Sequence, residues 1–282
     1  MNVIGITRSP RFSPNMQDND RKIMMKVKEQ LNLQEVEVRI IDEDFWANNY
    51  IEGIDDQDNV VVFTMMRSGD ALHKLENNVE RGWIAINSPE GIRNAERKNI
   101  MQIMHDSDIP IPSTQILSQN DKFQFTAPCW IKKGEGWAQT SYDVQLAHSQ
   151  IEADEKIRRL RAEYPGGSIV VSRHLQGDIV KFYGVQGSDF FFWKYPDLGK
   201  TKFGAELANG FPNGFMFDHR ELKKVCDNIA DKSHILVYGG DCIIESDGKF
   251  AIIDFNDWPS FSPCALTAAQ AIANKITHLI KH

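Results

Sequence analysis

The segment Tyr238 to Phe261, YGGDCIIESDGKFAIIDFNDWPSF, restricts the possible folds of this chain more than any other. Asp247-Gly248, set between the apolar runs Cys242–Ile244 and Phe250–Ile253, is a signature of a two-residue β-hairpin loop. With that loop Ser246 pairs with Lys249, and stepping back along the ladder sets Asp241 opposite Asp254. Two directly opposed carboxylates repel, so the pair asks for a cation between them. Side chains alternate along a strand, which puts Asn256 on the face of Asp254. Two carboxylates and an amide oxygen at one hairpin mouth form a hard, all-oxygen set. Mg²⁺ accepts that set when phosphates supply the remaining ligands. Two other readings stand beside this one. Asp254 and Asn256 simply end a buried strand, as turn-forming residues often do. Alternatively, a three-residue loop with a bulge shifts the pairing by one and separates the aspartates.

A chain of 282 residues fits one large domain or two modest ones sharing a cleft. Hydrophobic residues at 41% and charged residues at 25% match an ordinary soluble globular protein. No apolar run approaches the ~20 residues that span a bilayer, and MNVIGITRSP lacks a signal-peptide layout. No membrane partner is therefore expected. The four cysteines (Cys129, Cys226, Cys242 and Cys264) form no Cys-x-x-Cys pair, so a reducing cytoplasmic setting is the expectation. A formal charge of −7 argues against a nucleic-acid-binding face.

Along the chain, Val3–Thr7, Val36–Ile41, Val60–Met65 and Trp83–Asn87 read as strands, with helices at Asp20–Leu31 and Asp70–Glu80. Strand, helix, strand, strand, helix, strand suggests a small open α/β sheet, which binds ligands beyond the carboxyl ends of its strands. Arg8, Arg11 and Arg67 fall there, either as anion-binding groups or as solvated surface charge. Pro89–Asp106 reads as a helix stopped by Ile109-Pro-Ile-Pro112. Strands follow at Thr114–Leu117, Pro128–Lys132, Ser168–Leu175, Ile179–Val185 and Phe190–Trp193. Helices are expected at Ala153–Tyr164, Arg220–Asp231 and Ala265–Ile280. Lys132-Lys-Gly-Glu-Gly136 is a lysine-headed loop whose glycines let backbone N–H groups approach phosphate, or a plain hairpin turn. Mixed strands and helices make the last two thirds α+β.

Four segments, in order and spacing, resemble the ATP-grasp superfamily. The resemblance is greatest to its branch of ribosomal-protein glutamate ligases and inositol trisphosphate 5/6-kinases. They are Glu96-Arg97 with Asp108-Ile-Pro110, Pro128-Cys-Trp-Ile-Lys132, Val170-Val-Ser-Arg-His-Leu175 with Gly177-Asp178, and Ile253-Asp-Phe-Asn256 with Trp258-Pro259. Lys181-Phe-Tyr183 is similar to the kinases' Lys-Val-Tyr strand. The resemblance covers about Pro89 to Phe261 and implies two α+β lobes clamping ATP, preceded by a small open-sheet domain. The implied division is 1–88 for that first domain and 89–282 for the ATP-grasp domain. Within the latter, the smaller lobe is about 113–175 and the metal-binding lobe about 176–282.

The resemblance also implies roles. Lys132 holds the α- and β-phosphates, and Arg97 or adjacent Lys98 reaches the phosphate tail. Backbone groups of Arg173 and Leu175 read adenine, and Asp178 sits near the ribose. Lys181 approaches the transferring phosphoryl, with Lys181 and Arg97 as the catalytic pair. Asp241, Asp254 and Asn256 bind one or two Mg²⁺. Three departures stand out: Ser172-Arg173 where the hinge usually has Glu or Gln, a short loop after Lys132, and Asp257-Trp-Pro-Ser260 in place of a Pro-Gly turn.

The acceptor then defines the enzyme. A carboxylate acceptor gives an acyl phosphate that an amine or similar nucleophile attacks, releasing ADP and phosphate. Its substrates are a small-molecule or peptide carboxylate and an amine. A hydroxyl acceptor makes the chain a kinase and requires a base. His174 and His219 are the histidine candidates, more simply read as structural. A polyphosphate acceptor would need a cationic pocket, for which Arg67, Arg93, Lys194, Lys200 and Lys202 are available. Ligation is the leading expectation, a small-molecule kinase the alternative, and a non-catalytic nucleotide-binding module the third.

Overall fold

The computed structural model describes residues 2–13, 16–54, 59–136, 140–197 and 208–281. Strands β1 (Asn2–Thr7), β2 (Val38–Asp42), β3 (Val60–Thr64) and β4 (Ile84–Ile86) form a parallel sheet in the order β2-β1-β3-β4. β3 (VVVFT) is buried at every position, as a parallel strand covered on both faces must be. Val3, Val61 and Phe63 face α1 (Gln17–Asn32) and α8 (Ala265–Lys281), where Ile23, Met24, Val27, Ile272 and Ile276 complete a core. Ile4, Ile6, Val60 and Val62 face the other way, toward α2 (Glu43–Asn48) and α3 (Gly69–Glu80), with Trp46, Leu72 and Leu75. The last helix of the chain thus covers the first sheet.

The short helix α2 has no counterpart in the sequence reading, because six residues are too few to show a period. Its start is local chemistry: the Asp42 carboxylate accepts the Phe45 N–H at 2.6 Å, and Glu43 and Asp44 follow in the first turn. The helix expected over Pro89–Asp106 is two, α4 (Pro89–Asn94) and α5 (Arg97–Asp106). Glu96 between them is extended at ψ 136°. Beside that break the Lys98 N–H bonds Gly134 O at 3.0 Å, which ties α5 to the loop after β6.

A second, antiparallel sheet has β5 (Thr114–Leu117), β6 (Cys129–Lys133), β7 (Val144–Ala147) and β8 (Ile169–Arg173) in the order β5-β8-β6-β7. Cys129, Ile131, Ile169 and Val171 pack under Ala153, Ile157 and Leu160 of α6 (Gln150–Glu163). The alternate positions Trp130 and Lys132 point to the opposite face.

The third sheet is also antiparallel: β9 (Asp178–Val185), β10 (Phe191–Lys194), β11 (Val237–Ile244) and β12 (Phe250–Asp257), in the order β10-β9-β11-β12. Val180, Phe182, Tyr238, Cys242, Ile252 and Phe255 form its apolar face, against α5 and α7 (His219–Ser233). The other face looks toward the second sheet.

The β11–β12 hairpin differs from the expected two-residue loop. Glu245 N–H bonds Lys249 O at 2.8 Å and Gly248 N–H bonds Glu245 O at 2.9 Å, so Ser246, Asp247 and Gly248 form a three-residue loop. Gly248 sits at φ +83°, the left-handed conformation this loop needs and glycine adopts freely. The pairs Ile244↔Phe250, Ile243↔Ala251 and Cys242↔Ile252 are accordingly shifted by one. An irregularity between Asp241 and Cys242 then inserts Ile253 as an extra residue of β12, and the ladder resumes at Asp241↔Asp254. The two single-residue shifts cancel.

All four cysteines are buried and free. Among the described residues, no helix is long and apolar enough to cross a membrane.

Candidate active site

Residues opposed on neighbouring strands share a face. The register Lys181↔Asp241↔Asp254 therefore lays a cation and two carboxylates in one row across β9, β11 and β12. Lys181 Nζ lies 2.7 Å from Asp241 Oδ1, and Asn256 Nδ2 donates to Asp254 Oδ2 at 3.0 Å. Burial disfavours the Lys181 charge, but Asp241 outweighs it and holds the amine above the usual lysine range. The next row on this face is Tyr183, Gly239 and Asn256. A Cβ on Gly239 would press on the Pro259 ring, so glycine there keeps the Pro259 turn close beside Asn256.

The row forms one wall of a cavity of about 330 Å³ between the second and third sheets. Lys132 faces it from β6, its Nζ bonded to Ile253 O at 3.2 Å. The bulge thus restores the aspartate register and also turns a carbonyl toward this lysine. Burial, then the nearby Arg97 charge, push the Lys132 pKa down to about 8, against the pull of Asp254 and Asp241. Arg97 reaches the cavity from the start of α5 and donates Nη1 to Lys133 O at 2.8 Å. Its Nε is buried with no hydrogen-bond partner among the described residues. Two half-buried cations with spare donors make this end a receptor for an anion.

The other end is apolar, with Trp130, Leu175, Ile179 and Ile243 on its walls. Trp130 Nε1 donates to His174 Nδ1 at 3.1 Å. Burial, with a smaller contribution from His148, holds His174 below the usual histidine range, consistent with a ring that accepts at Nδ1. At the exit of β8 the Arg173 N–H is taken by Ser113 O at 2.9 Å, and Leu175 O accepts Asn209 Nδ2 at 2.9 Å. What these contacts leave for a planar base is the Arg173 carbonyl and the Leu175 N–H. They are one acceptor and one donor, two residues apart.

Arg8, Phe12 and Arg67 reach the cavity from the loops of the first sheet. Arg67 is locked on Asp257 through Nη1 and Nη2 at 2.7 and 2.6 Å. Arg8 lies 3.3 Å from Asp20 and donates to Trp258 O and Met65 O, each at 3.2 Å. Burial and the neighbouring Arg67 charge bring the Arg8 pKa down to about 10.

Other expected site residues lie elsewhere. Lys98 is paired with Glu135 at 2.9 Å and does not line the cavity. Arg11, adjacent in sequence to the cavity wall, is exposed and paired with Asp44 at 3.2 Å. Asp178 is buried and turned away from the cavity. Its two oxygens accept Asn213 N, Asn213 Nδ2, Gly214 N and Phe215 N at 2.6–3.0 Å, so it shapes a loop where a ribose contact was expected. Arg93 is held bidentate by Glu76 at 2.6 and 2.7 Å, and Lys194 by Asp197 at 2.9 Å. His219 packs by Trp193, outside the cavity lining, and Lys200 and Lys202 lie outside the described residues. In the loop after Lys132, Gly136 lines the cavity, while Glu135 is tied to Ser168 and Lys133 lies 3.9 Å above the Tyr164 ring.

Trp130, Ile253 and Asp257 were missed in the sequence. Trp130 was legible, two residues before Lys132 on the same strand face. The Arg67–Asp257 contact joins residues 190 apart in sequence and had no local signal.

Among the described residues, no group of three or more His, Cys, Asp or Glu side chains gathers as a metal centre. Asp241, Asp254 and Asn256 amount to two carboxylates and an amide, beside the cationic end of the cavity. That donor set suits Mg²⁺, which keeps few protein ligands and takes the rest from phosphate and water.

No protein-family model and no curated protein sequence matches the chain. Solved structures do match it in shape. A RimK-domain ATP-grasp protein from Sphaerobacter thermophilus superposes with a TM-score of 0.68 at 14% identity, covering 97% of this chain and 98% of that one. D-alanine–D-alanine ligase from Bacillus anthracis in complex with ATP superposes with a TM-score of 0.68 at 11% identity, covering 100% and 98%. The ATP-grasp ligase PsnB, in complex with a minimal precursor, Mg and ADP, gives 0.63 at 15% identity, covering 99% and 98%. With near-complete coverage on both sides and the site between its second and third sheets, the chain has the ATP-grasp fold.

Proposed function

We propose that the chain is an ATP- and Mg²⁺-dependent ligase that joins a carboxylate to an amine or similar nucleophile. The carboxylate oxygen takes the γ-phosphoryl group of ATP, giving an acyl phosphate and ADP. The nucleophile then attacks the acyl carbon, forms the new bond and expels phosphate.

One observation carries the choice of acceptor. Beyond Asp254 and Asn256 the cavity offers Arg8 and Arg67, each backed by a carboxylate; among the described residues its one lining histidine, His174, lies at the apolar end against Trp130. A carboxylate acceptor needs a cation to hold it and no base to deprotonate it; a hydroxyl acceptor needs the base. Of the cations a polyphosphate acceptor would require, Arg93 is engaged by Glu76 and Lys194 by Asp197, away from the cavity.

In this reading Trp130, Ile179 and Ile243 enclose the adenine, and the Arg173 carbonyl and Leu175 N–H fix its edge. Lys132 and Arg97 hold the phosphate tail, and Lys181 neutralises charge on the transferring group. Asp241, Asp254 and Asn256 would hold Mg²⁺, which supplies charge neutralisation across the phosphates. Arg8 and Arg67 orient the acceptor carboxylate for in-line attack.

The test is ADP release from Mg·ATP in the presence of pooled carboxylates and pooled amines. ADP with free phosphate, dependent on both pools, is the expected result. Phosphate retained on a polyol, or no ADP with any pool, overturns the reading.

A further inference from the structure

We infer that Glu43 is a positioning residue that sets the Arg8–Arg67 pair in the cavity wall. The first sheet runs β2-β1-β3-β4, so its strand order reverses between β1 and β3. The crevice beyond that switch point is where an open α/β sheet takes a ligand. Here the chain fills it with its own carboxylate. Glu43 is fully buried. Its Oε2 accepts the Ser9 N–H at 2.8 Å, and its Oε1 accepts the N–H groups of Arg67, at 2.9 Å, and Ser68. Ser9 belongs to the loop after β1 and Arg67-Ser68 to the loop after β3. One carboxylate therefore clamps both loops, and each carries one of the two arginines that face the acceptor end.

The geometry explains how two like charges remain side by side. Asp257 fixes the Arg67 guanidinium, and Asp20 backs Arg8, whose Nε also reaches Met65 O, but these side-chain contacts leave the Ser9 and Arg67-Ser68 backbones some freedom to shift. Glu43 removes that freedom, and its negative charge lies close enough to favour the charged form of Arg8. Three N–H bonds to one buried carboxylate are charge-assisted, and no neutral side chain accepts all three equally. In Glu43→Gln the carboxamide must turn its N–H₂ toward one of three donors, and the loop with the single bond, at Ser9, is the one to release.

The role assigned to the pair rests on the ligase reading, so the test separates the two claims. Side-chain ¹⁵Nε signals of Arg8 and Arg67 are recorded with and without acetate as a carboxylate probe, in wild type and in Glu43→Gln. Ser9→Pro is a second variant. Its φ is already −62°, so proline removes the N–H with little backbone strain, and Ser9→Ala controls for the lost hydroxyl bond to Asp44. In wild type and Ser9→Ala, both Nε–H signals are dispersed and acetate shifts them. In Glu43→Gln and Ser9→Pro, the Arg8 signal collapses to the solvent-averaged position and the acetate response disappears. The affinity for a non-hydrolysable ATP analogue stays within about twofold, as for a site apart from the nucleotide. Unchanged Arg8 and Arg67 signals with an intact acetate response in both variants overturn the inference. If acetate moves neither arginine in wild type while the variants still release Arg8, the positioning role stands and the carboxylate-acceptor reading fails. If Glu43→Gln does not fold, Ser9→Pro decides alone.

Discussion

Asp241 stands directly opposite Asp254 because Ile253, an extra residue in β12, undoes the shift introduced by the three-residue loop at Ser246–Gly248. The bulge is thus part of the site. Deleting Ile253 removes the bulge and closes the ladder with Asp254 still opposite Asp241. It takes away the carbonyl that Lys132 uses while keeping Asp254 and Asn256 on the cavity face. Ile253→Ala keeps both the bulge and the carbonyl that Lys132 uses. Nucleotide titrations should show near-wild-type affinity for the alanine variant and a weakened but measurable affinity for the deletion, which loses only the carbonyl that steadies Lys132.

Removing one of two opposed carboxylates relieves repulsion, so Asp254→Ala should unfold at or slightly above the wild-type temperature. Its Mg²⁺-dependent ADP release should fall by about 10²-fold or more, the scale of losing a fixed electrostatic partner at a transferring group. Steady-state turnover with thermal unfolding on the same sample checks both halves.

Lys132 titrates near 8 before nucleotide binds, and a bound polyphosphate favours its charged form. Binding above that pH must therefore take up a proton, so affinity weakens as pH rises past 8, by up to about tenfold per unit. Trp130, in the apolar end of the same cavity, offers a fluorescence signal for the titration. Lys132→Arg, charged throughout, should bind with a flatter profile between pH 7.5 and 9.5.

Asp178 tests structure against ligand contact. Burial pushes its pKa up, but the N–H groups of Asn213, Phe215 and Gly214 win and hold the carboxyl below its usual value. A folded pKa below the unfolded one stabilises at pH above the ordinary carboxylate range, and that stability is lost as pH falls through the folded value. Asp178→Asn should cost about 1–3 kcal/mol in denaturant unfolding at pH 7, with the gap to wild type narrowing in acid. Nucleotide affinity should hold. A loss of affinity at unchanged stability would restore the ribose role.

Much of this was legible where the signals were local. The apolar spacing of Ile23, Met24, Val27 and Leu31 marked α1, and alternation put Lys181, Asp241 and Asp254 on strands. The pairing of the aspartates was read correctly through an incorrect loop. An Asp-Gly dipeptide is compatible with two-residue and three-residue turns, and a bulge leaves no mark in composition. Lys98 and Asp178 matched motif positions, yet their direction depends on Glu135 and on residues 213–215, distant in sequence. Glu43 carries no local signal of its role, which arises only because the fold brings Ser9 and Arg67 to it.

The most direct test is a crystal structure grown with Mg²⁺ and a non-hydrolysable ATP analogue. The expected structure has metal on the oxygens of Asp241, Asp254 and Asn256, the triphosphate against Lys132 and Arg97, and the base beside Trp130 at the Arg173–Leu175 edge. A nucleotide bound elsewhere, or a metal that bypasses Asp254, would contradict it.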